Sequence, residues 1–230
     1  MKKRVVIVDN YPISRHGLRI IIDGLDDFMV VGESTGWHEA LKMIGSVTPD
    51  VVVTELSLAD GSGWELVSRC STEKIIIPIL VFTAYDEEIY ASRLLRAGAK
   101  GFLMKTSPVP EVIAGLRRIA RGYMVVSEQM SSQMIQIATR GVDGMNMPNE
   151  LSRLSDRELQ VLELLCKKRI GKEIAASMGI SEKTVCTYKA RLMEKFNTRT
   201  TAELLKKMIG VAGNKFGLES ADRDDETLVY

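Results

Sequence analysis

The sequence predicts a doubly wound α/β domain of five parallel strands over residues 1–122, then a separate all-α domain of four helices over residues 151–210. Three observations lead there. Short β-branched runs alternate with helical patterns through the first half, which is the rhythm of βαβ units covered on both faces. The alternation stops at Gly122. Beyond residue 150, capping signals and a Gly-Ile-Ser turn divide the chain into helices only.

Val5-Val6-Ile7-Val8 is a continuous apolar run, as expected of a strand buried on both faces of a parallel sheet. Pro12 opens a helical pattern with Ile13, Leu18, Ile20, Ile21 and Ile22. Met29-Val30-Val31 gives the second strand, and Trp37, Ala40, Leu41 and Ile44 the second helix. Val51-Val52-Val53 is the third strand, and Trp64, Leu66 and Val67 begin the third helix. Ile75 to Phe82 holds the fourth strand, whose start Pro78 marks, because proline cannot donate to a central ladder. A helix from Ile89 to Ala97 stops at Gly98. Gly101-Phe102-Leu103-Met104 is the fifth strand, and the fifth helix runs from Pro108 to Arg121. In such sheets the functional crevice lies at the carboxyl ends of the strands, which here carry Asp9 and Asn10, Glu55, Thr83 and Ala84, and Lys105.

Residues 123–150 read as an extended turn, a short helix from about Glu128 to Thr139, and a linker with Gly141, Gly144 and Pro148. Residues 211–230 read as an acidic, disordered tail. The basic start, Met1-Lys2-Lys3-Arg4, precedes an apolar run that stops at Asp9, too short for a secretory signal. A cytoplasmic protein with no membrane association is expected. Cys70, Cys166 and Cys186 are scattered and odd in number, which fits neither a disulfide framework nor a metal cluster. There is no Ser/His/Asp set and no phosphate-cradling loop, and the histidines are His16 and His38. An enzyme is not expected, nor a cofactor.

Charge is distributed unevenly. Residues 1–125 carry 15 Lys/Arg against 15 Asp/Glu, residues 151–210 carry 13 against 7, and the last twenty carry 2 against 5. A basic segment between neutral and acidic ones is where a polyanion would bind. Ser155-Asp156-Arg157-Glu158 is a capping box for a helix burying Leu159, Val161, Leu162, Leu164 and Leu165. Lys172 to Met178 forms a short helix, Gly179-Ile180-Ser181 a tight turn, and Glu182 to Phe196 a longer helix. This is helix-turn-helix spacing. Thr200 to Glu203 is a second capping box, opening a helix to about Ile209. In the longer helix Val185, Leu192 and Phe196 point inward; Lys183, Thr184, Thr187, Tyr188, Lys189, Arg191 and Lys195 point outward, with Ser181 as the cap and Lys172 on the preceding helix. Such a face suits phosphates and base edges of duplex DNA; spacing and charge alone leave a solvated helix of a four-helix bundle as the alternative.

Leu154-Ser155-Xaa-Arg157-Glu158, Lys172-Glu173-Ile174-Ala175, Gly179-Ile180-Ser181-Glu182-Lys183-Thr184-Val185 and Leu192-Met193-Glu194-Lys195-Phe196 closely resemble the LuxR-type helix-turn-helix of the NarL/FixJ response-regulator family. The resemblance implies that the third helix reads the major groove and that the fourth contributes to dimerisation. Cys186 and Tyr188 stand where that family often has Lys and His, so the target sequence is expected to differ. Cys186 reads as a packed thiol or, alternatively, a redox sensor at the DNA surface.

Residues 1–122 resemble the receiver domains of the same family through Asp9-Asn10-Tyr11-Pro12, Thr83-Ala84 and Gly101-Phe102-Leu103-Xaa-Lys105-Thr106. The resemblance implies a pocket of Asp9, Asn10, Glu55, Thr83, Phe102 and Lys105, with Phe102 as the aromatic switch or simply a core residue. Three departures stand out. Glu55 occupies the phosphoacceptor aspartate position, Asn10 replaces the second acidic residue, and Ala59 replaces a proline. A carboxylate one methylene too long is misplaced for attack, and Asn10 supplies no charge, so only weak Mg²⁺ binding at Asp9 is expected. Glu55 is therefore not expected to be phosphorylated. Either its carboxylate stands toward Lys105 and Thr83 where a phosphoryl group would lie, or the pocket is merely degenerate. The expected partners are duplex DNA and a second copy of the chain. A heterodimer with another regulator, control by a kinase, and contact with RNA polymerase are the alternatives left open.

Overall fold

The computed structural model describes residues 1–140, 150–167 and 169–212. The chain divides into two units, residues 1–147 and 148–230. The expected linker glycines 141 and 144, Pro148, and the acidic stretch 213–230 lie outside the described residues.

In the first unit β1 (Lys3–Val8), β2 (Phe28–Ser34), β3 (Val51–Thr54), β6 (Ile79–Thr83) and β7 (Gly101–Met104) form one sheet in the order β2-β1-β3-β6-β7. All four pairings are parallel, and β1 pairs with β3 from Val5↔Val51 to Val8↔Thr54. The strand order reverses between β1 and β3, and a crevice opens beyond the carboxyl ends of the strands at such a point. Along β1, Val5 and Ile7 face a core with Leu18 and Ile22 of α1 (Pro12–Asp23) and Val112, Leu116 and Ile119 of α5 (Val109–Ala120). The helices α2 (Trp37–Val47), α3 (Gly63–Thr72) and α4 (Glu87–Ala97) pack side by side over the other face. Val6, Val8 and Val52 are fully buried there. Two-sided burial is why these strands read as unbroken apolar runs.

Two features go beyond the sequence reading. After β3 the chain makes a small antiparallel hairpin, β4 (Ser57–Leu58) and β5 (Gly61–Ser62). Its tip residue Asp60 accepts bonds from the Trp37 and His38 amides at 2.8 and 3.1 Å and so caps α2. Secondly, the expected turn at Tyr123–Ser127 adds to the sheet edge: Val125 bridges Gly101, and the Phe102 amide donates to Val125 at 2.7 Å. The fourth strand begins at Ile79, one residue after the Pro78 expected to mark its start, and Ile76 in the run before it is fully exposed. The short helix expected after residue 127 is α6 (Glu128–Arg140).

Gly63 is a close-approach position. A Cβ there would lie 2.2 Å from the Glu55 carbonyl oxygen and 3.0 Å from Thr54 Oγ1, so α3 can start beside the end of β3 only without a side chain. Gly63→Ala will force the two apart at a cost of about 1–3 kcal/mol. Urea unfolding of the variant checks this, and an unchanged midpoint would remove the steric argument.

The second unit has a 3-10 turn at Glu150–Arg153, then α7 (Asp156–Cys166), α8 (Gly171–Met178), α9 (Glu182–Lys195) and α10 (Thr201–Ala212). Leu159, Val161, Leu162 and Leu165 of α7, Ile174 of α8, Val185 and Leu192 of α9 and Leu204 of α10 make its core; Leu164 is half-buried rather than buried. At Thr200 only half of the expected capping box forms. Thr200 Oγ1 accepts from the Glu203 amide at 3.1 Å, but the Glu203 carboxylate takes the Arg199 amide instead.

Candidate functional sites: a carboxylate pocket and a recognition helix

Four strand ends bring the expected pocket together. Asp9 follows β1, Glu55 follows β3, Thr83 ends β6 and Lys105 follows β7. Backbone bonds fix their relative height: Glu55 N to Val8 O at 2.8 Å, Asp9 N to Ser34 O at 3.0 Å, Lys105 N to Thr83 O at 2.7 Å. Asp9, Glu55 and Thr83 are buried. Lys105 Nζ lies 2.7 Å from Asp9 Oδ2 and 2.7 Å from Glu55 Oε2. Thr83 Oγ1 donates to Glu55 Oε1, which also accepts the Leu56 amide at 2.5 Å. The Glu55 carboxylate therefore rests on both the hydroxyl and the ammonium group of the pocket. Burial works against the charge of Lys105, but the carboxylates of Glu55 and Asp9 outweigh it and hold the ammonium above its ordinary range.

The remaining residues divide. Phe102 is fully buried, with its ring in the core. Asn10 is exposed. Three partners of the pocket escaped the sequence reading. Ser14 Oγ donates to Asp9 Oδ2 at 2.6 Å, Arg15 donates to the Asp9 carbonyl at 2.7 Å, and the Tyr11 ring lies 5.2 Å from Lys105 Nζ. The only hint was their closeness to Asp9 in sequence.

A receiver's divalent ion would need Asp9, Asn10 and Glu55 as ligands. Asp9 Oδ1 already accepts the Tyr11 amide, Oδ2 takes Ser14 and Lys105, and Lys105 also takes Glu55. Asn10 adds no charge. Two carboxylates already sharing one ammonium group, with a neutral amide as third donor, make a weak set for a hard dication. Among the described residues no group of three or more His, Cys, Asp or Glu is placed to hold a metal ion.

In the second unit the helix-turn-helix forms as its local chemistry dictates. Gly179 has φ 64° and closes α8 in the left-handed region. Ser181 Oγ then accepts the Thr184 amide at 3.1 Å and caps α9. Lys172, Ser181, Lys183, Cys186, Thr187 and Arg191 are exposed, and Thr184, Tyr188 and Lys189 half-buried. Arg191 stands 6.0 Å over the Tyr188 ring. Lys195, expected with this outward set, is exposed as well, and its Nζ also lies 2.6 Å from Glu158 Oε2 and 3.2 Å from the Arg153 carbonyl. Burial works against the charge of Glu158, but the bonds from Lys195 and Ser155 outweigh it and hold the carboxyl below the usual range.

Comparison with known proteins gives the same two halves. Residues 5–117 match the response regulator receiver domain, and residues 152–208 match the bacterial regulatory proteins of the luxR family. The virulence regulator BvgA of Bordetella pertussis is 32% identical over 205 residues, covering 89% of this chain and 96% of BvgA. The chain is a NarL/FixJ-family response regulator. The oxygen regulatory protein NreC of Staphylococcus carnosus is also 32% identical, over 88% of this regulator and 95% of NreC. In fold, RcsB of Salmonella typhimurium is similar at a TM-score of 0.74 with 23% identity, over 91% of this regulator and 98% of that chain. The regulator is thus a DNA-binding protein of the LuxR type, and its relatives are transcription regulators rather than enzymes. No helix among its described residues is long and apolar enough to cross a membrane.

Proposed function

We propose that this regulator binds specific duplex DNA as a dimer, and that the Glu55 carboxylate, not a phosphoryl group, sets the state of its receiver. One observation carries the reading: Glu55 already occupies both Thr83 and Lys105, the groups that would otherwise take phosphoryl oxygens. An anion held there in a low-dielectric crevice acts as a permanent substitute for the transferred group. The poor fit of the pocket to Mg²⁺ supports the same reading. Phosphoryl transfer leans on a divalent ion to neutralise charge, and here Lys105 stands between the two carboxylates instead.

For DNA the reading rests on the cationic, hydroxyl-bearing face of α9, with Lys183, Thr184, Thr187, Lys189 and Arg191 as base and phosphate contacts and Cys186 and Tyr188 altering the target. Lys172 adds a phosphate contact from α8. RcsB has been solved on promoter DNA and as dimers on DNA, which supports a dimer of helix-turn-helix modules on two half-sites. The half-sites then lie about one helical turn apart.

The full-length chain incubated with acetyl phosphate and Mg²⁺ is expected to give no phosphoprotein by intact-mass measurement and no gain in DNA affinity. A phosphoryl adduct at Glu55, or Mg²⁺-dependent tightening on DNA, would overturn the proposal. The DNA probe comes from selection out of a random duplex pool with untreated protein.

A further inference from the structure

The carboxyl-terminal turn of α9 is tied to the amino-terminal turn of α7 by a contact that a simple capping box does not need. Glu158 Oε2 accepts the Ser155 amide at 2.7 Å and Ser155 Oγ at 2.8 Å, which completes the cap. The same oxygen also receives Lys195 Nζ at 2.6 Å, across 37 residues of sequence. The Glu158 side chain is 4% exposed and that of Lys195 40%. Lys195 reaches further to the Arg153 carbonyl at 3.2 Å. Leu192 and Phe196, on either side of it, are buried. The lysine is thus anchored at both ends of its reach, whereas Lys183, Lys189 and Arg191 make no ion pair among the described residues. A charge-assisted bond to a buried carboxylate holds geometry in a way that an exposed pair does not.

We infer that Lys195 and Glu158 are positioning residues, which fix the angle at which α9 presents its cationic face, and that Lys195 is not a phosphate contact. The inference rests on the DNA-binding reading of α9 given above. A helix that reads base edges must be held to about half an ångström. The Lys195–Glu158 pair supplies that hold at the end of α9 remote from the Ser181 cap.

The two roles for Lys195 predict opposite signs in one variant. Glu158→Gln keeps the shape and the serine bonds but removes the charge partner. If Lys195 positions α9, this variant binds DNA more weakly with an unchanged salt slope. If Lys195 contacts phosphate, freeing it tightens binding and steepens the slope. Titrations use the full-length chain and the selected duplex over a range of salt concentrations. Lys195→Ala is expected to weaken binding about tenfold, roughly 1.4 kcal/mol, with the slope of the parent, and Lys195→Arg to stay within about threefold of the parent. Heat denaturation checks that each variant is folded at the assay temperature. If Lys195→Ala is unfolded there, the sign of the Glu158→Gln change decides alone.

A shallower slope in Lys195→Ala, or tighter binding by Glu158→Gln, overturns the inference and leaves the DNA reading intact. Failure of the parent chain to bind any duplex overturns the DNA reading and the inference with it.

Discussion

Replacing Lys105 by methionine will destabilise the receiver by about 3 kcal/mol and lower its melting temperature by roughly 10 °C. The reason is an imbalance rather than a lost bond. Lys105 is the ammonium group shared by Asp9 and Glu55, whose side chains are each 2% exposed. Removing one partner of a buried pair leaves the other charge without compensation, and here two carboxylates would be left facing each other. The lysine itself is 20% exposed, so water recovers part of the loss and the lower end of the usual range applies. Glu55→Gln is the contrasting variant. It keeps the bond from Thr83 and leaves Lys105 paired with Asp9, so it should cost only about 1 kcal/mol. Thermal and urea unfolding of both variants test the ordering. A Lys105→Met protein as stable as Glu55→Gln would mean that Lys105 is not what neutralises the pocket.

The same pocket shows what the sequence could reveal and where it stopped. Glu55, Thr83 and Lys105 could be placed at strand ends because Val51–Thr54 and Ile79–Thr83 are buried on both faces and so appear as uninterrupted apolar runs. A Glu55 carboxylate turned toward the neighbouring strand ends was one of two readings open to the sequence, the other being a degenerate pocket; its bonds to Thr83 and Lys105 appear only in the fold. Ser14 and Arg15 were not legible as pocket residues, because their bonds to Asp9 depend on how α1 leaves β1. The β4–β5 hairpin escaped because each strand is two residues long, and its anchor is a bond from α2 to Asp60 rather than a sequence pattern. Pro78 was legible as the start of the fourth strand: it donates nothing to the ladder, its carbonyl still accepts the Val52 amide at 3.0 Å, and Ile76 in the apolar run before it is left in solvent. In the second unit the turn at Gly179 and the cap at Ser181 were legible because both are local. The Lys195–Glu158 pair was not, because helical periodicity put Lys195 on the outward face without showing that a buried carboxylate lies within its reach.

Lys189→Ala and Arg191→Ala will each weaken DNA binding by roughly tenfold or more and reduce its salt dependence. On B-form DNA each phosphate neutralised contributes about 0.9 to the slope of log affinity against log salt. In a dimer every substitution occurs twice, so each variant should flatten the slope by about 1.8, and the double variant by about 3.6. The two side chains are suited to different extents. Arg191 is exposed, with its guanidinium carbon 6.0 Å from the Tyr188 ring centroid, at the outer limit of a cation–π contact. Lys189 is half-buried, so its stem packs on the domain while its ammonium can still reach a phosphate. Heat denaturation of each variant should match the parent, because neither side chain carries a buried ion pair among the described residues. Titrations over a range of salt concentrations with the selected duplex distinguish three outcomes. A fall of about 1.8 supports two copies on the DNA. A fall of about 0.9 means that one copy carries the contact. An unchanged slope in both variants means that the cationic side of α9 does not face the phosphates at all, and the groove-reading orientation of that helix would have to be abandoned.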